Sequence, residues 1–154
     1  MNEHLTGDLK VIVFQLQDEE YGIPVHQVRS IEKVQHITRV PRTASYIKGV
    51  INLRGVVTPI IDLRKRFGLQ ELEDTESTRM IIVSKDDIEV GFIVDAANDV
   101  IDIHSDIIEP APEVVGSVEV EYILGVAKLE KRLIVMIDLE EVLKTGQTPE
   151  IQGV

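Results

Sequence analysis

Arg54, in the run Asn52-Leu53-Arg54-Gly55, is the charged residue with the most specific setting in this chain. Asn52 and Gly55 tolerate the positive φ that a tight strand-to-strand turn can require. A guanidinium on such a turn projects from the protein and can fork onto a carboxylate of a partner. An ordinary hairpin tip with a solvated arginine has the same sequence, and the residues alone leave both readings open. Groups that usually carry catalysis do not form constellations. His4, His26, His36 and His104 contain no pair three or four apart, so no metal site is signalled. Ser30, Ser45, Ser77, Ser84, Ser105 and Ser117 lack the glycine frame of a nucleophile elbow. No glycine-rich loop precedes a Lys-Ser or Lys-Thr. Asp86-Asp87 and Glu140-Glu141 fit a turn and a solvated helix face. The absence of cysteine excludes disulfides and thiolate ligands, and it suits a reducing compartment. Neither catalytic residues nor a metal nor a cofactor is expected.

The elements around Arg54 are written twice. Tyr46–Arg66, YIKGVINLRGVVTPIIDLRKR, returns 76 positions later as Tyr122–Val142, YILGVAKLEKRLIVMIDLEEV. The copies share Tyr46/Tyr122, Ile47/Ile123, Gly49/Gly125, Val50/Val126, Leu53/Leu129, Ile61/Ile137, Asp62/Asp138 and Leu63/Leu139. A fainter echo at offset 69 matches Ile12/Ile81, Asp18/Asp87, Glu20/Glu89, Gly22/Gly91 and Val25/Val94. Glu130 stands where the first copy has Arg54. A duplicated β-unit with a cation added to one copy reads as a binding surface, not a catalytic cleft.

Val11–Gln17 and Tyr21–Ile23 read as a hairpin about Asp18-Glu19-Glu20. His26–Glu32 has Val28 and Ile31 at helical spacing and reads as a turn of helix. Lys48–Leu53 and Val56–Ile61 flank the Arg54-Gly55 turn, and Pro59 places the second strand at an edge or bulge. Asp62 caps a short helix that reaches Phe67 and stops at Gly68, and Asp138 caps its counterpart to Lys144; capping explains why both aspartates recur. Gln70–Ser77 is an acidic linker and the expected subdomain boundary. Met80–Val83 and Glu89–Val94 form a second hairpin about Lys85-Asp86-Asp87, with a further strand at Asp99–His104. Glu109–Glu113 is too proline-rich for regular structure. About ten short strands and no long helix indicate a mainly β fold, and the duplication indicates two barrels of about five strands each.

A length of 154 residues, 44% of them hydrophobic, suits one domain or two small subdomains sharing a core. The N-terminus lacks the pattern of a signal peptide, and the apolar runs are too short to span a membrane. A soluble, cytoplasmic protein is expected. The net charge of −11 is unevenly spread. Pro24–Arg66 holds nine Lys or Arg against Glu32 and Asp62, a local +7, which leaves −18 elsewhere. That segment can meet an acidic partner, or be ordinary variation of a solvated surface. It also admits a small barrel that binds RNA, against which stand the scarcity of aromatics and the acidic whole.

Four motifs in order then resemble a known family. They are D-E-E-Y-G-I at Asp18–Ile23, I-K-G-V-I-N-L-R-G-V-V-T-P-I-I-D-L-R at Ile47–Arg64, V-G-F-I-V-D at Val90–Asp95 and P-A-P-E at Pro110–Glu113. Together they resemble the CheW family of chemotaxis coupling proteins from about Val11 to Leu143. The length leaves no room for the receiver domain of CheV or the kinase modules of CheA. The resemblance implies two SH3-like five-stranded barrels on a shared core, closed by a C-terminal helix. Residues 9–145 would form the domain. Subdomain 1 would span about 9–68 plus that helix, subdomain 2 about 78–137, and 1–8 and 146–154 would be tails. It implies a scaffold without catalytic activity that joins the histidine kinase CheA to the cytoplasmic tip of chemoreceptors, or the same role in another chemosensory pathway. Neither nucleic acid nor direct membrane contact is implied; the protein is cytoplasmic and recruited to membrane receptor arrays. Carried over, the receptor contact comprises Val28, Ser30, Ile31, Asn52, Arg54, Ala97, Asp99 and Val100. The contact with the kinase's regulatory domain comprises Ile37, Thr38, Val40, Lys48 and Gly49. A second contact that closes kinase–adaptor rings would use Glu109, Glu113 and Val114. Two departures bear on this. Ser30 stands where better-known members place an acid, and Glu109 and Val114 stand where a basic residue and a large aromatic are frequent.

Overall fold

The computed structural model describes residues 7–70, 73–110 and 120–144. In chain order its elements are β1 (Asp8–Leu16), β2 (Glu19–Pro24), β3 (Val28–Lys33), β4 (Ile47–Leu53), β5 (Val56–Asp62), the helix α1 (Leu63–Arg66), β6 (Arg79–Lys85) and β7 (Ile88–Val94). There follow β8 (Ala96–His104), β9 (Ile108–Glu109), β10 (Ile123–Lys128), β11 (Leu133–Ile137) and the helix α2 (Leu139–Val142). Single 3-10 turns precede β3, β9 and β10. The strands β3, β4 and β10 alternate more and less buried side chains with a period of two, while most of the others are buried in continuous runs. Arg54 and Gly55 join β4 to β5 with φ of 52° and 86°, and Asp86 and Asp87 join β6 to β7 with φ of 53° and 69°. Such pairs form the primed turns that match strand twist. Asp62 and Asp138 cap α1 and α2, accepting hydrogen bonds from the backbone N–H groups of Arg64 and Glu141.

Four local expectations need correction. His26–Glu32 is a 3-10 turn followed by β3, because Val28–Lys33 pairs with β6 across a bulge at Arg29. The first hairpin turns at Gln17-Asp18, so Glu19 and Glu20 belong to β2. Glu109 is paired in β9, opposite Val126. The strand of Pro59 is interior, between β4 and β7. Its pairing with β7 begins only at Ile60, one residue beyond the proline.

The strands form two sheets, ordered β8-β1-β2-β11-β10-β9 and β3-β6-β7-β5-β4. The second is one continuous stretch of chain; the first is built from both ends of it. The β1–β2 hairpin therefore does not join β4 and β5. It lies parallel to β11, Gly22 opposite Met136, as β7 lies parallel to β5, Gly91 opposite Ile60. The offsets of 69 and 76 carry one ladder onto the other, so each sheet combines strands from both halves of the chain. Each sheet also curls until its edges approach. Beyond β3, Thr38 and Val50 of β4 exchange both backbone hydrogen bonds at 2.8 Å. The outer strands β8 and β9 are separated only by the 3-10 turn Ser105–Ile107.

Three apolar clusters fill this frame. Val11, Val13, Ile134 and Met136 belong to a cluster in the first sheet; Ile51, Ile60, Met80 and Ile82 belong to one in the second. Phe14, Tyr21, Ile61, Phe67, Phe92, Tyr122 and Leu139 pack into a third cluster drawn from both sheets and both helices. Alternate residues of β1 and of β6 feed different clusters, which is why both strands read as unbroken apolar runs. Two arginines of α1 cross the junction. Arg64, fully buried, meets Asp62 at 3.0 Å and Asp95 at 3.0 Å, and Asp95 also accepts from the Gln17 N–H. Burial opposes its charge, but Asp62 and then Asp95 outweigh that and raise its pKa. Arg66 donates from Nε to the Val142 carbonyl at 3.0 Å and from Nη2 to that of Lys144 at 3.3 Å. Its guanidinium lies 4.7 Å from the Tyr46 ring and 4.9 Å from the Tyr122 ring, the repeated tyrosines. The C-terminal helix is thereby tied to α1.

Candidate functional site

The β4–β5 turn holds Arg54 in the left-handed region, with two-thirds of its side chain exposed. Asn52 is not itself at positive φ. It sits in β4 and braces the turn, its side-chain oxygen accepting from the Gly55 N–H at 2.8 Å. Arg54 reaches Glu32 of β3 at 3.2 Å. The Glu32 carboxyl is held below its usual range by the neighbouring Ser30 hydroxyl and then by Arg54, against a cost of burial. The buried Ser30 Oγ has no hydrogen-bond partner among the described residues, so the contact that holds Glu32 is its ion pair with Arg54. Val28, Arg54, Val56 and Glu89 line one open cleft of about 630 Å³.

Apart from Asn52 and Arg54, the residues expected at the receptor contact fall into two triplets that are structural counterparts. Val28, Ser30 and Ile31 of β3 pair with Val83, Ile82 and Ile81. Ala97, Asp99 and Val100 of β8 pair with Phe14, Val13 and Ile12, each the offset-69 counterpart of those partners. A bulge falls at the same place in both strands, beside Arg29 and Asn98. The first triplet joins the Arg54 cluster; no hydrogen bond or ion pair among the described residues links the second triplet to it. Asp99 is engaged elsewhere. Arg132, ahead of β11, grips Glu20 at 3.0 Å through two nitrogens and Asp99 at 3.3 Å through two. Glu20 first and then Asp99 raise the pKa of Arg132 far above its ordinary value. Each sheet thus sends an arginine onto its own edge strand. Ile31, Val56 and Val100 are 42%, 51% and 56% exposed, unusual for large apolar side chains and available to an apolar partner.

The residues expected at the kinase contact all lie together. Thr38 bridges Val50 at the outer edge of β4. Gly49, at φ +148°, leaves room for it: a Cβ there would stand 2.1 Å from the Thr38 carbonyl oxygen and 2.8 Å from Ile37. Val40 and Lys48 line an adjoining pocket of about 430 Å³. Of the ring-contact residues, Glu109 occupies the counterpart of Thr38, opposite Val126 as Thr38 is opposite Val50. Glu113 and Val114 lie outside the described residues.

Sequence reasoning missed Glu32 and Arg132. Glu32 shares a face of β3 with Ser30, and strand alternation signals it once β3 is not read as a helix. Arg132 has no counterpart cation in the first copy, where Val56 stands, so the repeat gives no hint of it. Among the described residues, no His, Asp or Glu group could hold a metal ion, and no helix is long and apolar enough to cross a membrane.

Comparison with known proteins places this geometry. The CheW-like domain matches residues 10–147. The chemotaxis protein CheW of Bacillus subtilis is 56% identical over 138 residues, covering 90% of this chain and 88% of the relative. That of Klebsiella aerogenes is 36% identical over 143 residues, covering 93% and 86%. The crystal structure of the scaffolding protein TtCheW from Thermoanaerobacter tengcongensis superposes with a TM-score of 0.84 at 36% identity, covering 95% of this chain and 94% of that one.

Proposed function

Because the chain belongs to the CheW family, we propose that it joins a CheA-type histidine kinase to the cytoplasmic tip of chemoreceptors. Its role is that of a non-catalytic chemotaxis scaffold. For the kinase side, the supporting observation is the convergence of Ile37, Thr38, Val40, Lys48 and Gly49 on one strand edge. A CheW-like regulatory domain can pair end to end with such an edge. For the receptor side, support comes from exposed Ile31 and Val100 and from half-exposed Val28, which shares a cleft with Arg54. A receptor helix can lay its apolar face on these side chains and offer Arg54 a polar or acidic group. The Ser30 and Asp99 positions tune that contact differently: one is a neutral hydroxyl, the other a carboxylate already held by Arg132. Recruitment to membrane arrays then follows from receptor binding alone.

Binding to receptor tip fragments and to the isolated kinase regulatory domain tests both sides. Arg54→Ala is expected to weaken receptor binding by about 1–3 kcal/mol and to leave kinase binding unchanged. Arg54→Glu should be worse, since it sets like charges together. Equal losses toward both partners would mean a damaged fold or a misplaced site.

A further inference from the structure

All eight arginines of the chain lie in the described residues, and six have partners. Arg29, Arg54, Arg64 and Arg132 pair with carboxylates. Arg66 and Arg79 donate to backbone carbonyls. Among the described residues, Arg39 and Arg42 are the arginines whose side chains make no hydrogen bond or ion pair, although the chain carries 27 acids against 16 lysines and arginines. Both line the same pocket of about 430 Å³, together with Lys48 and Lys65. Arg42 is held at φ +66°, a strained value for a side-chain-bearing residue, in the turn that follows Pro41.

The fold does not require this charge. At the matching positions of the second copy, Lys48 becomes Leu124 and Lys65 becomes Glu141. Val40, Pro41 and Ile47 give the pocket an apolar floor, which suits a polypeptide better than a small bare anion. The pocket runs directly into the Thr38–Val50 edge through Val40 and Lys48.

We propose that Arg39 and Arg42 are the docking site for an acidic segment of the protein that pairs along the β4 edge, two guanidinium forks receiving its Asp or Glu side chains. The inference rests on the kinase-contact reading above and names the chemistry of that partner's complementary surface. The forks set the register along the edge, and the local positive field speeds encounter.

The test compares wild type with Arg39→Gln/Arg42→Gln, which keeps the side-chain stems, and with Lys128→Gln/Lys131→Gln, which removes the same charge from the other sheet. Affinity for the isolated kinase regulatory domain is measured from low to high salt, with circular dichroism as the check on folding. The arginine variant should bind at least roughly tenfold more weakly at low salt and lose most of the salt dependence. The lysine variant should stay within about twofold, as a long-range, screened effect. If wild type binds and the arginine variant matches it in affinity and salt slope, the docking site is wrong while the kinase contact stands. Equal losses in both variants would reduce the effect to net charge and overturn it. No binding by wild type would overturn both readings.

Discussion

Removing Arg66 should loosen the whole molecule, because this one side chain closes the junction between the two copies. It is 9% exposed, donates to two carbonyls at the end of α2, and lies against two tyrosine rings. Hydrogen bonds from a charged donor contribute about 1.5–3 kcal/mol each, and a desolvated cation–π contact about 2. Much of the sum is offset, since in the unfolded chain the guanidinium is fully hydrated. The net loss for Arg66→Ala is therefore about 3–5 kcal/mol. Arg66→Lys keeps the charge but cannot fork to both carbonyls, and should lose about half as much. For a domain of this size 1 kcal/mol shifts Tm by about 2–4 °C, so the alanine variant should melt roughly 10 °C lower. Urea denaturation gives the free energy directly, with an unchanged slope showing that the same surface unfolds. A double-mutant cycle with Tyr122→Leu should show coupling above about 0.5 kcal/mol. An alanine variant within about 1 kcal/mol of wild type, or a cycle with no coupling, would refute the idea that Arg66 fastens the copies together.

Expressed separately, residues 1–72 and 73–154 should each show collapsed amide dispersion by NMR, because each sheet combines strands from both halves; two well-dispersed halves would contradict the shared core. Gly49→Ala forces the backbone apart at the Thr38 carbonyl and should cost more than about 1 kcal/mol while weakening kinase-domain binding well beyond receptor binding. Burial, and then Glu19, push the Tyr21 phenol up to about 12. A phenol raised in the folded state contributes stability that is intact below its unfolded pKa near 10 and lost as pH climbs toward 12. Absorbance titration should show a late phenol that Tyr21→Phe removes; a late phase that Tyr21→Phe leaves unchanged, or none at all, would exclude it.

Much of this architecture is legible in the residues. The offsets of 69 and 76 mark strands that do superpose in sheet order, and Asp62 and Asp138 are the caps their positions imply. What the residues hide is long-range pairing. Nothing local tells β2 to lie against β11 and not β5, since the unbroken apolar run of β11 does not mark which neighbour it takes. The β3 segment misleads for a similar reason. Its bulge at Arg29 breaks the period of two, so Val28 and Ile31 fall three apart and mimic a helix. The turn identifies Arg54 correctly as a projecting cation but assigns the positive φ to Asn52, whose actual work is to brace Gly55. The partners Asp95 and Arg132 emerge only when distant segments come together, and Glu32 only once β3 is seen as a strand.

The central claim, that this chain couples one protein to another without chemistry of its own, meets its most direct test in reconstitution. Receptor in membranes, CheA-type kinase and this protein are combined, and kinase autophosphorylation is followed while this protein alone is titrated. The account predicts that receptor control of the kinase appears only when this protein is present and is lost with Arg54→Glu. Receptor-controlled kinase activity that is the same whether or not this protein is added would contradict it.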